Sequence, residues 1–213
     1  DQSINQSINR NKMQRFQVIK IFIFFIVMAT MIESIEPQLF YPNQSRSPYA
    51  IDNIRWDCHF EVDACHFRNQ HNLAQFNRYY NPRQPLFGRR GLLLLNLRSP
   101  RVQRYPGARL ITHYYPAAQS KACIFLSYYT TGDGPQSFFV IQQDKENKCI
   151  FADHEVQNKP NQWNEIEIQL DLSDGDPRFF LETHFQQGKF GFFAIDKFSF
   201  GYGQCKNPSP NYC

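Results

Sequence analysis

From Trp163 onward hydrophobic and polar positions alternate strictly, with Ile166, Ile168, Leu170 and Leu172 on one face and Glu165, Glu167, Gln169 and Asp171 on the other. A period of two marks a half-buried strand. The same logic predicts strands over residues 92–97, 109–115, 122–129, 137–143, 148–153, 179–185 and 192–200. Turn signals separate them: Ser99-Pro100, Tyr105-Pro106-Gly107, Thr131-Gly132-Asp133-Gly134-Pro135, Ser173-Asp174-Gly175-Asp176-Pro177 and Gln187-Gly188. No long segment keeps a 3.6-residue period, which excludes Rossmann and TIM architectures, and no repeat at a solenoid or propeller period occurs. The expected fold is all-β, an antiparallel jelly-roll sandwich. Along 192–200 the alternation places Phe192, Ala194, Asp196, Phe198 and Phe200 on one face, so Asp196 is expected to point into an apolar layer.

Composition adds size and compartment. With 213 residues the chain has room for one domain of ordinary size plus appendages. Its apolar content of 42 % and aromatic content of 16 % supply a packed core and exclude disorder for most of the chain. The chain opens on Asp1 and reaches its first methionine at Met13. Arg15 and Lys20 then precede the apolar run Ile21–Val27, with Val27 and Ala29 suitably placed for cleavage after Ala29, or alternatively after Ser34. The uninterrupted apolar stretch ends at Ile32, about half of the ~20 residues that a membrane span requires. The predicted organisation is therefore an upstream segment over 1–12, a signal peptide over 13–29, an exposed linker over 30–53, a domain over 54–206 and a tail over 207–213. Secretion follows, with no membrane span after signal removal. Within the linker, Asn43-Gln44-Ser45 is a glycosylation sequon.

All six cysteines, Cys58, Cys65, Cys123, Cys149, Cys205 and Cys213, follow the leader, where an oxidising compartment favours three disulfides. Six cysteines allow fifteen connectivities, and spacing alone selects none. A zinc site from Cys58-His59 and Cys65-His66 is disfavoured, because adjacent side chains on an extended segment face opposite ways. The formal charge of +4 falls to +1 once the four bases and one acid before residue 30 are removed, too little to drive nucleic-acid binding. Charge is nonetheless uneven. Ten Lys/Arg and no acid lie between Ala64 and Gly132, and twelve acids against five bases lie between Asp133 and Asp196. Arg83, Arg89, Arg90, Arg98, Arg101 and Arg104 are a candidate anion-binding patch for sulfated glycans or an acidic partner; a mixed, solvated surface is the plain alternative. The motifs of zinc proteases, serine hydrolases and phosphate-binding loops are missing, and His154-Glu155 has no second histidine four positions on. No catalytic residues are assigned, and the expectation is a non-enzyme.

The segment Cys58-His59-Phe60-Glu61-Val62-Asp63-Ala64-Cys65-His66-Phe67 resembles the opening of a MAM domain, the extracellular module of meprins, neuropilins and some receptor-type tyrosine phosphatases. The resemblance continues through Gly91-Leu92-Leu93-Leu94-Leu95, Ala108-Arg109-Leu110-Ile111 and Cys123-Ile124-Phe125-Leu126-Ser127-Tyr128-Tyr129. It ends on Trp163 and on Phe192-Phe193-Ala194-Ile195-Asp196-Lys197-Phe198-Ser199-Phe200 ahead of Cys205, covering residues 54 to 205. Lys197 replaces an acidic residue of the family's closing motif, Phe67 and Phe76 replace its tryptophans, and Cys149 and Cys213 are additional to its four cysteines. The resemblance implies Cys58–Cys65 and Cys123–Cys205 pairs, leaving Cys149 and Cys213 to each other or, for one of them, to a second chain. It also implies a candidate calcium-type site combining Asp196 with Glu61 or Asp63, since hard cations take carboxylate ligands; an Asp196 held by backbone groups or by an arginine is the alternative. The function implied is a secreted interaction or adhesion protein, working by protein–protein contact with extracellular or cell-surface partners and as a possible homodimer. A glycan- or glycosaminoglycan-binding jelly roll is the alternative from another class.

Overall fold

A computed structural model describes residues 54–211 and 213. The segments expected as upstream sequence, signal peptide and linker, with Asn43, lie outside the described residues. Eleven strands run in chain order: β1 Ile54–Cys58, β2 Arg68–Asn69, β3 Asn77–Tyr80, β4 Gly91–Asn96, β5 Gly107–Ile111, β6 Lys121–Gly132, β7 Pro135–Gln143, β8 Asn147–Asp153, β9 Trp163–Asp171, β10 Arg178–Phe185 and β11 Gly191–Tyr202. One sheet has the order β3-β4-β11-β6-β9, with β1 also pairing β11; the other has the order β2-β5-β10-β7-β8. Every pairing of these strands is antiparallel. The expected jelly-roll sandwich is the observed fold.

The core forms where the apolar faces of the two sheets meet. Leu126, Tyr128, Ile166, Ile168 and Phe193 from the first sheet pack against Leu110, Phe138, Val140, Phe179 and Leu181 from the second, all buried. Aromatic rings bridge the layers, with Phe138 5.0 Å from Phe193 and 4.9 Å from Tyr128. The predicted strand 109–115 stops at Ile111, and the short β1, β2 and β3 are additional to the predicted set.

The reading of β11 as one unbroken alternation is corrected by a β-bulge. Register shifts between Ile195 and Lys197, so Phe193 and Ile195 share the core with Phe198, Phe200 and Tyr202, while Phe192 faces outward. One extra residue exchanges the two faces of a strand. Asp196 is that residue. Its carboxylate pairs with Arg89 Nε at 3.1 Å.

Beside the bulge, Asp57 of β1 accepts a hydrogen bond from Ser199 Oγ, lies 3.1 Å from His59 Nε2 and 3.6 Å from Lys197 Nζ. Burial pushes the Asp57 carboxyl up, but its hydrogen bonds to His59 and Ser199 and the nearby positive charges outweigh it and bring the pKa from 3.8 to about 2. A carboxylate with a depressed pKa adds stability that is full above about pH 4 and is lost as pH falls toward 2; because Asp57 is partly exposed and solvent screens its partners, this is about 1 kcal/mol here. Asp57→Asn is therefore expected to lower stability at neutral pH by roughly that amount and to flatten the acid limb of the stability curve between pH 4 and 2. Denaturant titrations of both proteins across that range check this; an unchanged acid limb in the variant would assign it to other groups.

Three disulfides close within the chain: Cys58–Cys65, Cys123–Cys205 and Cys149–Cys213. The last two turn the segment beyond residue 203 into a strap. Cys205 fixes it to β6, and Cys205 N donates to Gln169 Oε1 at 2.8 Å. Ser209 N then donates to Glu167 O at 2.7 Å, so backbone of β9, an edge strand, is paired by the strap. Asn207 N donates to Glu167 Oε2 at 2.8 Å, and Cys213 reaches β8 on the edge of the opposite sheet. Pairing an edge removes a template for aggregation.

Candidate functional site

Two outward surfaces carry concentrated chemistry. The first lies on the six-stranded sheet. Register sets Ala194, Tyr129 and Trp163 side by side across β11, β6 and β9, with Phe192 two residues along from Ala194. The 81–90 loop folds over this row. Its tip, Leu86 to Arg89, is closed by hydrogen bonds in both directions, and Phe87 and Gly88 take φ of 53° and 78°. Positive φ at both central positions is the geometry of a type I′ turn, which a bulky phenylalanine adopts at a cost. Two contacts offset that cost: the Phe87 ring stacks on Tyr129 at 4.3 Å, and Trp163 Nε1 donates to Phe87 O at 2.9 Å. Trp163 lies 5.2 Å from Tyr129 and Phe192 5.8 Å from Phe87, so four half-buried rings form a continuous band.

A guanidinium closes each end of the band. Arg89 lies 5.3 Å from the Trp163 ring and also pairs with Asp196; Arg98 lies 5.7 Å from the Phe192 ring. Both are cation–π geometries. Two of the six arginines of the expected patch, Arg89 and Arg98, thus flank the band. Arg83, Arg89 and Arg90 precede β4, whereas Arg98, Arg101 and Arg104 follow it, at its other end.

Asp63 Oδ1 accepts from Cys65 N at 2.6 Å, Glu61 is exposed, and Asp196 is held by Arg89. Burial pushes the Asp196 carboxyl up, against the charges of Arg89, His59 and Lys197, and Glu61 adds to the rise. Among the described residues, Cys123, Glu167 and Cys205 are the group of three ligand-type side chains whose donor atoms lie within 4.8 Å of one another, and both cysteines are spent in a disulfide. Glu61, Asp63 and Asp196 are thus not a group of three with donor atoms within 4.8 Å of one another, although Glu61 lies near enough to raise the Asp196 carboxyl.

The second surface is a cleft of about 480 Å³ on the outer face of the five-stranded sheet, lined by Gln70, Arg109, Gln136, Glu182 and His184 with Leu73, Pro106 and Phe185. Register places Arg109 opposite Glu182 on β10. Arg109 Nε donates to Glu182 Oε2 at 2.6 Å and Nη1 to Gln70 Oε1 at 2.9 Å, while His184 Nε2 lies 2.6 Å from Glu182 Oε1.

The model of the MAM domain, meprin/A5/mu, matches residues 58–206. The chain belongs to the MAM family. No curated protein sequence matches it. Among solved structures, a cleaved adhesin domain of Lys-gingipain from Porphyromonas gingivalis is similar over 70 % of this chain and 98 % of that one, at 10 % identity and a TM-score of 0.50. The CBM22-1 and GH10 modules of endo-1,4-β-D-xylanase 10B from Clostridium thermocellum, complexed with xylohexaose, are similar over 75 % of this chain at 12 % identity and a TM-score of 0.50. This MAM chain covers 30 % of that xylanase chain. At such identities the likeness shows the sandwich fold alone. MAM domains are extracellular binding modules, and three disulfides fit an oxidising compartment. Among the described residues no helix is long and apolar enough to cross a membrane.

Sequence reasoning placed Trp163, Tyr129 and Phe192 on strands of the MAM domain but not beside one another, and it missed Phe87 as their cover. The Phe87-Gly88 pair was the available signal, since glycine there permits a tight turn. Glu182 and His184 sit two residues apart on the same strand face.

Proposed function

We propose that this MAM domain is a secreted, non-catalytic recognition module that binds a cell-surface or matrix protein through the arginine-flanked aromatic band. The band itself carries the reading. Tryptophan, tyrosine and arginine dominate the binding energy of protein interfaces because they present large, rigid contact areas with a polar handle. Here the strands fix Tyr129, Trp163 and Phe192, and stacking fixes Phe87, so little side-chain freedom remains to be lost on binding. Arg98 is exposed at the edge of the band, in a stretch of sequence free of acids, and favours a partner that presents carboxylates. All three disulfides close within the chain, so a homodimer of this MAM domain would be held without a covalent link.

Binding of the secreted, disulfide-intact protein to intact cells, followed by flow cytometry, tests the class of partner. Trypsin treatment of the target cells is expected to abolish binding, and prior digestion with heparinase to leave it in place. The opposite pattern would replace the protein partner by a glycan.

A further inference from the structure

The cleft on the five-stranded sheet faces away from the aromatic band, on the other side of the sandwich. We infer that it is a second binding site, for a neutral sugar residue of a glycan chain. Its volume of about 480 Å³ falls within the ~300–1,000 Å³ of small-molecule sites. Charge settles the class of ligand. The Arg109 guanidinium is matched by the Glu182 carboxylate, so no unpaired cation in the cleft draws a sulfate or phosphate. What remains is a set of hydrogen-bonding groups of both senses. Arg109 spends Nε and Nη2 on Glu182 and Nη1 on Gln70, three of its five N–H groups, and two remain. Gln136 is exposed at the cleft and adds a carbonyl and an amide, and Glu182 adds carboxylate lone pairs. Adjacent sugar hydroxyls act as donor and acceptor together, which planar carboxylate, amide and guanidinium groups satisfy in pairs.

The site is also preorganised. Arg109 is held from two sides by Glu182 and Gln70 and lies 5.2 Å from the Phe180 ring, so ordering it on binding costs little. Gly107 keeps the β5 backbone against His184: a Cβ there would meet Thr183 O at 2.7 Å and His184 Cδ2 at 3.0 Å. Leu73 and Pro106 supply the apolar wall on which the C–H face of a pyranose rests, with the buried Phe185 behind them.

The test uses the whole secreted protein on a glycan microarray carrying neutral galactose-, glucose-, mannose- and N-acetylglucosamine-terminated oligosaccharides beside sulfated and sialylated counterparts. Binding to at least one neutral class, insensitive to salt, is expected. Gln136→Ala and Arg109→Lys should each weaken it about tenfold, the loss of one hydrogen bond with its partner left unpaired. Gln136 is exposed, so its variant is expected to melt with the wild type, which separates a lost contact from a lost fold. Arg98→Glu, on the other sheet, should leave glycan binding unchanged. The inference is overturned if no neutral glycan binds, if binding follows sulfation, or if Gln136→Ala and Arg109→Lys both bind as the wild type does. None of those results touches the protein partner proposed for the aromatic band, which Arg98→Glu tests independently.

Discussion

Replacing both Cys123 and Cys205 by alanine is expected to lower the stability of the domain by about 4 kcal/mol and its Tm by about 10 °C. The bond joins residues 82 apart in sequence, and freeing a loop of that length restores about 4.5 kcal/mol of chain entropy to the unfolded state. Cys149–Cys213 already closes an overlapping span, which reduces that figure. Lost packing adds to it, because Cys123 is fully buried against Phe125 and the strap. By the same argument Cys58→Ala with Cys65→Ala, whose bond spans seven residues, costs about 2.5 kcal/mol. Guanidinium denaturation of both variants, with the two remaining bonds confirmed by mass, gives the comparison. Equal losses, or a larger loss at Cys58–Cys65, would contradict the role of the strap in closing the sandwich.

Phe193→Ala is expected to cost about 4 kcal/mol, whereas Phe192→Ala, one residue away, costs about 1 kcal/mol. Phe193 is fully buried between Tyr128, at 5.8 Å, and Phe138, at 5.0 Å, so its removal leaves a cavity that two packed sheets cannot collapse to fill. Phe192 is only half-buried, with the Phe87 ring on one side and Arg98 above it. Without the bulge at Asp196 the order would reverse, because Phe192 would then share a face with Phe198. A larger loss at Phe192 than at Phe193 would therefore overturn the register of β11.

That register marks the boundary of what the sequence alone conveys. Strict alternation from Trp163 to Leu172 made β9 readable to within a residue, and its faces are those observed, save that outward Glu167 is buried beneath the strap. Alternation carries no signal for an extra residue, and nothing in the residue types around Asp196 announces the shift in β11. β3, Asn-Arg-Tyr-Tyr, went unread because an edge strand with mostly exposed positions has no apolar period to detect. The candidate surfaces were illegible for a different reason. Phe87, Tyr129, Trp163 and Phe192 come from four separate stretches of chain, and Gln70, Arg109, Gln136 and Glu182 from four more, so only strand order brings each set together.

Cell-surface binding by Arg98→Glu and Trp163→Ala, compared with wild type at matched folding, tests most directly whether the aromatic band is the recognition surface. The expected result is a loss of tenfold or more for each, about 1.4 kcal/mol at least, because Trp163→Ala removes an aromatic anchor and Arg98→Glu sets a carboxylate against the partner's own. Wild-type binding by both variants, with their secretion and melting intact, would contradict it.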